Sequence, residues 1–163
     1  SNHVVAADHG NKQLWIFTAE GKLLGFIDEG FVVPSPYFAV DFDNDGNIWA
    51  VNPGRLRLEK YTPAGVRISS WGKASMELDG FPGCCNPTHF AIGVGGDFIT
   101  AEKGIARLKK YDNRGTLRGV VAGPDKFKEG TTGLDLDIDS KGRVFVTDCI
   151  QGKVRIFTPK RGI

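Results

Sequence analysis

The sequence has little of what marks several large protein classes. It holds three cysteines in 163 residues, too few and too irregularly placed for a disulfide framework or a zinc ribbon. Its 21 lysines and arginines are nearly balanced by 19 acidic residues, which argues against a dominant polycation for nucleic acid. No apolar run approaches the roughly 18 to 20 residues of a membrane-spanning helix. With 40% hydrophobic residues and no helical periodicity, we expect a packed fold that is poor in helix.

Glycine, in contrast, is abundant, and much of it belongs to an internal repeat. The 22 glycines indicate many tight turns. Four segments, residues 4–21, 48–65, 98–115 and 144–162, share one pattern in which a polar residue ends an apolar run and an aromatic residue follows nine positions later. The four pairs are Asp8 and Phe17, Asn52 and Tyr61, Glu102 and Tyr111, and Asp148 and Phe157. A glycine follows the aromatic by four positions at Gly21, Gly65 and Gly115.

The repeat predicts an all-β fold built from small antiparallel sheets. Each copy has runs of four to seven β-branched and aromatic residues bounded by Gly, Asn, Asp and Pro, a pattern typical of strands and turns. Residues 48–51 and 144–147 are apolar on both faces, as expected of strands in a sheet that lies between two others. Successive copies start 44, 50 and 46 residues apart, the size of a four-stranded propeller blade. We therefore expect a β-propeller.

Residues 38–72, FAVDFDNDGNIWAVNPGRLRLEKYTPAGVRISSWG, resemble an NHL repeat. The resemblance rests on an inner strand, a D-G-N turn, a second strand that ends at Asn52, Arg57 and Leu58 at the start of a third strand, and a T-P-A-G turn. It extends over nearly the whole chain and is most specific in the second and fourth copies. It implies a propeller, usually of six blades, with ligands bound by loops at one mouth of the central channel. It also favours a bacterial periplasmic or extracellular location.

About two full and two incomplete blades are expected, because the first copy lacks its innermost strand and the last stops at its third strand. The repeats are placed at residues 1–30, 36–72, 87–122 and 132–163 of a single partial propeller that spans residues 1–163. Open end blades would expose unpaired strand edges and apolar faces, which soluble proteins avoid. We therefore expect a piece of a longer propeller, or else self-association through the open end blades.

One turn resembles the first half of a calcium-binding loop. Residues 41–46 read D-F-D-N-D-G, but the position that should supply a bidentate acid is Asn52. The parallel turn in the fourth copy, residues 137–142, has a lysine in place of a third ligand. A plain hairpin turn is therefore favoured over a calcium site.

The loop before the third copy carries a possible soft-metal site. Cys84, Cys85 and His89 supply two thiols and an imidazole, donors that suit zinc or copper(I). Adjacent cysteines rarely bind one tetrahedral metal, since their side chains diverge in extended backbone. A strained vicinal disulfide, or two small buried hydrophobic residues, explains the pair more simply.

Three residues are expected near the propeller axis. His89 and Tyr37 belong to loops that lead into inner strands, and Asp135 is expected on the inner strand of the fourth copy, where Ala39 and Ala91 are taken as its equivalents. Metal-dependent propeller hydrolases and lyases gather acids and histidines at this place. These three side chains are too few for a complete metal site, which would need further blades.

A basic rim is the third candidate. Arg57, Arg107 and Lys153 each lie five residues after the polar residue of their copy, and some NHL propellers bind single-stranded RNA through a positive face. Alternating basic residues on an outer strand more often form a solvated face. They could instead form salt bridges with Glu59 or Glu102. RNA is therefore the less favoured ligand.

The favoured function is a non-catalytic NHL-repeat scaffold that binds a protein, peptide or small ligand through the loops of one face. The alternative from another class is a fragment of a metal-dependent propeller enzyme, a lyase or hydrolase, with His89 near the axis. The sequence has no G-x-S-x-G elbow, no P-loop and no G-x-G-x-x-G. Nucleophilic catalysis therefore has little support, although enzymatic function is left open.

Overall fold

The computed structural model describes residues 3–28 and 30–159 and consists mainly of β-strands and turns. Within these ranges the helical segments are two short 3-10 helices, Pro53–Arg55 and Pro124–Lys126, and no helix is long and apolar enough to cross a bilayer. In chain order the strands are β1 (His3–Asp8), β2 (Gln13–Thr18), β3 (Leu23–Ile27), β4 (Val40–Phe42), β5 (Ile48–Asn52), β6 (Arg57–Tyr61), β7 (Arg67–Trp71), β8 (His89–Ile92), β9 (Phe98–Glu102), β10 (Arg107–Tyr111), β11 (Leu117–Ala122), β12 (Leu136–Ile138), β13 (Val144–Asp148) and β14 (Lys153–Phe157).

The strands form four antiparallel sheets, one for each copy of the repeat. The first sheet contains β1 to β3, the second β4 to β7, the third β8 to β11 and the fourth β12 to β14. In every sheet the strands are paired in chain order. The expected all-β fold, with two four-stranded and two three-stranded sheets, is confirmed. Each sheet lies inside one of the repeats placed above, whose outer limits stay a prediction.

The sheets are arranged around a shared axis. The inner strand β4 contacts β1 on one side and β8 on the other, and β8 in turn contacts β12, although these strands belong to four different sheets. Sheets of antiparallel strands that meet at their inner strands are the blades of a β-propeller. Strand β1 ends at the repeat residue Asp8, as β5 ends at Asn52, so β1 corresponds to the second strand of a complete blade. Among the described residues, the first sheet therefore has no equivalent of the inner strand β4.

Neighbouring blades cover each other's apolar faces. Every residue of β5 and of β9 is buried, as expected for strands with a sheet on both sides. In β13, which belongs to the last described sheet, Thr147 is exposed and only alternate residues are buried. Between the second and third blades, the Trp49 ring lies 4.7 Å from that of Phe98 and the Trp71 ring 5.0 Å from that of Tyr111. These aromatic contacts therefore join the second and third blades.

The glycines that follow the repeat aromatic in the second and third copies lie against the preceding blade. Gly115 has φ of +80°, and a Cβ there would come within 2.6 Å of the Trp71 ring. Gly65 has φ of +85°, and its Cβ would lie 3.1 Å from Ile27. Glycine is required at both positions because the turn needs a left-handed residue and the neighbouring blade leaves little space.

A polar side-chain pair joins the second and third strands of every blade. The polar residue that ends the second strand contacts the residue seven positions later, across the strand pair. The contacts are Trp15 to Asp8 at 3.2 Å, Asn52 to Glu59 at 3.2 Å, Lys109 to Glu102 at 2.9 Å and Arg155 to Asp148 at 2.7 Å. The residue types change from blade to blade, but each pair includes one carboxylate. The contact is therefore present in every blade, but the sequence does not reveal it because the residue types differ between copies.

In the middle blades these pairs also hold the loops that cross between blades. The Asn52 side chain accepts a hydrogen bond from the Val32 amide at 2.9 Å and donates to the Gly30 carbonyl at 3.2 Å. The Lys109 ammonium donates to the carbonyls of Leu78 and Gly80 at 3.1 and 2.6 Å. Lys109 is fully buried, and burial holds its pKa below the ordinary value although the Glu102 charge opposes this. One ammonium group thus forms an ion pair with a buried acid and donates hydrogen bonds to a long loop.

We predict that Lys109→Met lowers the free energy of unfolding by about 3 kcal/mol, since Glu102 would lose one cation in a buried site and two loop carbonyls would lose their donor. The adjacent Lys110 is a matched control. It pairs with Asp97 at 2.6 Å, but both side chains are more than two-fifths exposed, so Lys110→Met should cost less than about 1 kcal/mol. Urea unfolding followed by tryptophan fluorescence measures both. Equal effects of the two substitutions would contradict the structural role of the buried pair.

Candidate functional site

The residues singled out from the sequence lie at one end of the sheets, which we call the loop face. The first strand of each of the last three blades begins at this end, the second strand ends there, and the third begins there. These strands are β4, β8 and β12, then β5, β9 and β13, then β6, β10 and β14, and their antiparallel registers require this arrangement. The residues found there are Tyr37, Arg57, Cys84, Cys85, His89, Arg107 and Asp135. Convergence at one end follows from the repeat, because equivalent positions of successive blades point the same way.

The strand registers correct one expected equivalence. Val40 pairs with Ala50, Phe90 with Thr100 and Leu136 with Val146, and each partner lies two residues before the polar end of its strand. His89, not Ala91, is therefore equivalent to Ala39 and Asp135. The prediction for Ala91 was wrong by two residues, because matching alanine to alanine ignored the pairing that sets the register. The corrected alignment forms two layers at the axis, one of Ala39, His89 and Asp135 and a deeper one of Asp41, Ala91 and Asp137.

These two layers line a cavity of about 380 Å³ at the start of the three inner strands. The lining contains three carboxylates, those of Asp41, Asp135 and Asp137, and the imidazole of His89. Among the described residues that line it there is no lysine or arginine. The cavity is thus a cluster of hydrogen-bond acceptors with a surplus of negative charge.

His89 contributes a largely neutral imidazole to this cavity. Its ring lies edge-on to the Tyr37 ring, with 5.3 Å between centroids, and its Nδ1 atom is buried without a hydrogen-bond partner among the described residues. Burial lowers the pKa of His89, and the nearby negative charge of Asp135 offsets part of that decrease. The imidazole is therefore uncharged at neutral pH, with its Nδ1 atom enclosed by the protein.

Asp41 is the most confined carboxylate of the cavity. It accepts hydrogen bonds from the amide of Phe42 at 2.7 Å and from the amide of Ile92, in the next blade, at 2.9 Å. Burial raises the pKa of Asp41, the two amides counteract this, and the charge of Asp137 raises it further. The site therefore carries unrelieved negative charge, which a bound cation would relieve.

A lysine lies over Tyr37 and beside a pair of thiols. The Lys103 ammonium lies 5.5 Å from the centroid of the Tyr37 ring. Cys84 and Cys85 are both free thiols, with 3.2 Å between their sulfur atoms, so the sequence-based alternative of a vicinal disulfide is absent from this structure. Cys85 is buried while Cys84 is exposed.

The expected soft-metal ligands do not meet as a group. Within residues 3–28 and 30–159, no three side chains from His, Cys, Asp and Glu are placed to hold one metal ion. His89 faces Tyr37 and Asp135, while the sulfur atoms of Cys84 and Cys85 face each other. Zinc or copper(I) at Cys84, Cys85 and His89 therefore stays a prediction.

The calcium-like turn has the geometry of a hairpin turn. One Asp43 oxygen accepts hydrogen bonds from the amides of Asp45 and Asn47, at 3.1 and 2.8 Å. The other accepts the Trp49 indole N–H at 3.2 Å and lies 2.8 Å from the Lys60 ammonium. Both oxygens are thus engaged within the protein, which fits the favoured interpretation of a plain turn.

The candidate basic rim is largely engaged by carboxylates of the same blades. Arg57 donates to Glu59, and Arg107 donates to Glu102, both at 2.6 Å. The two carboxylates are buried, and Arg107 is only 12% exposed in its side chain. Lys153 is exposed. RNA binding through Arg57 and Arg107 would require breaking these pairs, so it stays a prediction without geometric support.

A larger cavity, of about 700 Å³, lies away from the loop face between the third and fourth blades. Its lining combines apolar residues, glycines and polar residues, and its charged members are paired within the protein. Lys110 contacts Asp97 at 2.6 Å, and Asp139 contacts Arg143 at 2.6 Å. Its lining contains none of the ligand-binding or metal-binding residues predicted from the sequence. We therefore take the smaller axial cavity as the candidate site.

Sequence reasoning missed Lys103, and it considered Asp41 and Asp137 only as members of calcium-like turns. The two aspartates occupy equivalent positions in the second and fourth copies, each two residues before a D-x-x-G turn at residues 43–46 or 139–142, and this signal was present in the aligned sequence. No comparable signal marks Lys103, because its position beside Cys85 and Tyr37 depends on the path of the crossing loop.

Comparison with known proteins supports the fold. The sequence matches no protein-family model and no curated protein. The structure is similar to a protein of unknown function from Bacteroides thetaiotaomicron, with TM-score 0.71 and 17% identity over 96% of this chain and 44% of that one. It is also similar to the WD40 β-propeller domain of Doa1, with TM-score 0.67 and 13% identity over 98% and 48%. A third similar structure is a streptogramin B lyase, with TM-score 0.59 and 16% identity over 97% and 51%.

The chain is therefore a β-propeller, or a part of one, by fold. It spans about half the length of each of these three structures. At these identities the likeness concerns the fold alone, and the NHL type stays a prediction.

The layered cavity predicts that Asp135 and Asp137 affect the ionisation of different groups. Asp135→Asn should lower the pKa of His89 further, since the negative charge that stabilises the imidazolium is removed. Asp137→Asn should instead lower the pKa of Asp41, because a like charge is removed. NMR titrations of the His89 imidazole and the Asp41 carboxyl measure both values. A rise in the pKa of His89 in the Asp135→Asn variant would refute the assigned geometry.

Proposed function

We propose that this chain is part of a non-catalytic, NHL-type propeller scaffold that binds a protein or peptide by placing one of its cationic groups in the axial cavity. The observation that carries this proposal is the cluster of Asp41, Asp135 and Asp137 around a neutral His89, in a cavity without a lysine or arginine of its own among the described residues. A lysine or arginine side chain of a ligand has the matching chemistry.

The electrostatics of the cavity favour such a ligand. Hydrogen bonds between charged groups contribute about 1.5 to 3 kcal/mol each, and more of that is realised in a partly desolvated site. The burial that raises the pKa of Asp41 also means that a cation can interact with it through little intervening water. A cavity of about 380 Å³ accommodates a side chain rather than a folded element. The remaining contacts would come from the loops of the loop face.

The rim of the cavity supplies a surface for the rest of the ligand. Tyr37 is partly exposed beside His89, and amphipathic aromatic residues of this kind are frequent in protein interfaces. The similarity to the WD40 domain of Doa1 supports the propeller scaffold but not a particular partner. The proposal therefore depends on the cavity, and the comparisons contribute only its architecture.

We predict that the chain binds a short peptide with a central lysine better than the same peptide with norleucine in its place. Isothermal titration calorimetry with Gly-Lys-Gly and Gly-norleucine-Gly amides tests this, because the two peptides differ in charge but little in shape. Asp137→Asn and Asp41→Asn should each weaken binding of the lysine peptide by roughly tenfold, the equivalent of one charge-assisted hydrogen bond. Asp125→Asn, an exposed carboxylate paired with Lys126 beyond β11, is the matched control and should have no effect.

Binding should also weaken as the pH falls from 7 into the acid range. Asp41, whose pKa is raised, loses its charge at a higher pH than an ordinary aspartate, and His89 becomes positive only below the ordinary histidine range. Both changes make the net charge of the cavity less negative, so binding of the lysine peptide should not become stronger at any pH in this range. Equal binding of both peptides, or binding unaffected by Asp41→Asn and Asp137→Asn, would contradict the proposal.

A second function, lyase-type catalysis, is favoured by one observation. The neutral imidazole of His89 lines the axial cavity together with a carboxylate, Asp135, and this pair of groups is one that general acid–base catalysis uses. The fold is also similar to that of a streptogramin B lyase. Incubation with a streptogramin B and mass spectrometry of the products tests this alternative. Turnover by the chain that is lost in His89→Gln would replace the scaffold proposal, whereas absence of turnover favours it.

A further inference from the structure

A pair of adjacent thiols occupies the crossing loop between the second and third blades. The sulfur atoms of Cys84 and Cys85 are 3.2 Å apart, which places both side chains on the same side of the backbone. Cys84 is exposed, whereas only 4% of Cys85 is accessible to solvent. One sulfur is therefore open to small molecules, and the second lies directly behind it.

The groups around the inner thiol are suited to stabilise a thiolate. Burial alone would raise the pKa of Cys85, but hydrogen bonds from Cys84 and Ser35 and the ammonium of Lys103 bring it below the ordinary value. The same hydrogen bond raises the pKa of Cys84, so after one deprotonation the two sulfur atoms share the remaining proton. Such sharing is expected of two thiols that deprotonate as one unit.

Lys103 is held in place by the loop that carries the thiols. The Asn86 side chain accepts a hydrogen bond from the Lys103 amide at 2.9 Å and donates one to the Lys103 carbonyl at 3.1 Å. Asn86 also donates to the Pro82 carbonyl at 2.8 Å, and its side chain is buried. The loop therefore holds the backbone of Lys103 against Asn86, the residue that follows Cys85.

We propose that Cys84 and Cys85 form a redox-active dithiol that reacts reversibly with low-molecular-weight disulfides. The geometry that supports this is an exposed sulfur in contact with a buried one, beside a cation held by the same loop. The proposal uses a different cluster from the axial cavity and does not depend on the proposed ligand.

The reaction proceeds by two thiol–disulfide exchanges. Transfer of the shared proton to Cys85 leaves a Cys84 thiolate, which attacks one sulfur of the external disulfide and displaces a thiolate. That leaving thiolate takes the proton from Cys85, and the Cys85 thiolate then attacks the Cys84 sulfur and displaces the second external thiolate. The dithiol loses two electrons and one proton, and the external disulfide becomes one thiol and one thiolate.

Sequence adjacency makes the product easy to reduce. Consecutive Cα atoms are about 3.8 Å apart, shorter than the roughly 4.4 to 6.8 Å of ordinary disulfides. A bridge between neighbouring residues is therefore strained, and strained bridges belong to the labile, regulatory class. Reversal by small thiols is expected, unlike in a structural disulfide.

The test uses the full chain with Cys149→Ser, which removes the third thiol, also exposed. This chain is treated with glutathione disulfide and followed by intact-mass spectrometry. We expect loss of the mass of two hydrogen atoms, reversed by reduced glutathione. With Cys85→Ser added, the reaction should stop at one bound glutathionyl group. With Cys84→Ser added, it should be slower by more than tenfold, because only the buried sulfur remains.

Lys103 distinguishes an activated pair from two merely adjacent cysteines. Lys103→Met should slow the exchange several-fold, because the thiolate loses a neighbouring positive charge, and Lys103→Arg should restore it because the charge returns. Circular dichroism of each variant verifies folding.

Three results would overturn the proposal. The first is a stable glutathionyl adduct on the chain that retains both Cys84 and Cys85. The second is a lack of reaction in a folded chain. The third is equal reactivity of the Lys103→Met and parent chains. None of these results bears on lysine-peptide binding, so failure of the dithiol and failure of the proposed function are distinguishable.

Discussion

The covering of one sheet by the next is the constraint on which the rest of this structure depends. The middle strands β5 and β9 are buried on both faces, so each needs a neighbour on either side, and the aromatic residues of one blade lie on those of the next. The blades cannot separate without exposing these faces to water, a cost that grows with the apolar area exposed. This packing also brings the inner strands together, and the axial cavity exists because three of them begin at the same end of the sheets.

Buried polar pairs make this packing compatible with long crossing loops. A loop between blades has backbone groups that no strand can satisfy, and a buried unsatisfied group is costly. In the third blade, Lys109 satisfies two such carbonyls while it neutralises Glu102. The second blade meets the same need with the neutral Asn52 and places its carboxylate at Glu59 instead. The carboxylate thus lies on the other strand of the pair in the second blade, while the contact across the strands is kept.

The loop face combines two kinds of chemistry that act through different atoms. The axial cavity offers carboxylates and a neutral imidazole, which suit a cation. Lys103 and two thiols offer a positive charge and nucleophilic sulfur. Tyr37 contacts both groups, with His89 at its edge and Lys103 over its face. Basic residues that seemed available to RNA are instead bound to buried carboxylates, because a charge beside a buried acid interacts more strongly there than in water.

The sequence by itself determined the blades. The spacing of nine between polar and aromatic residues, the glycine after each aromatic, and the alternation of strand and turn residues follow from local geometry, so they predicted the four sheets and their three- and four-stranded make-up. They also brought Tyr37, His89 and Asp135 to one face, since equivalent positions of a repeat point the same way. Only the tertiary structure decided that His89, not Ala91, shares a layer with Asp135, that Asp41 and Asp137 complete the cavity, and that Lys103 lies beside Cys85. Those contacts join different blades and loops, and their distances depend on how the blades are packed, which no local pattern records.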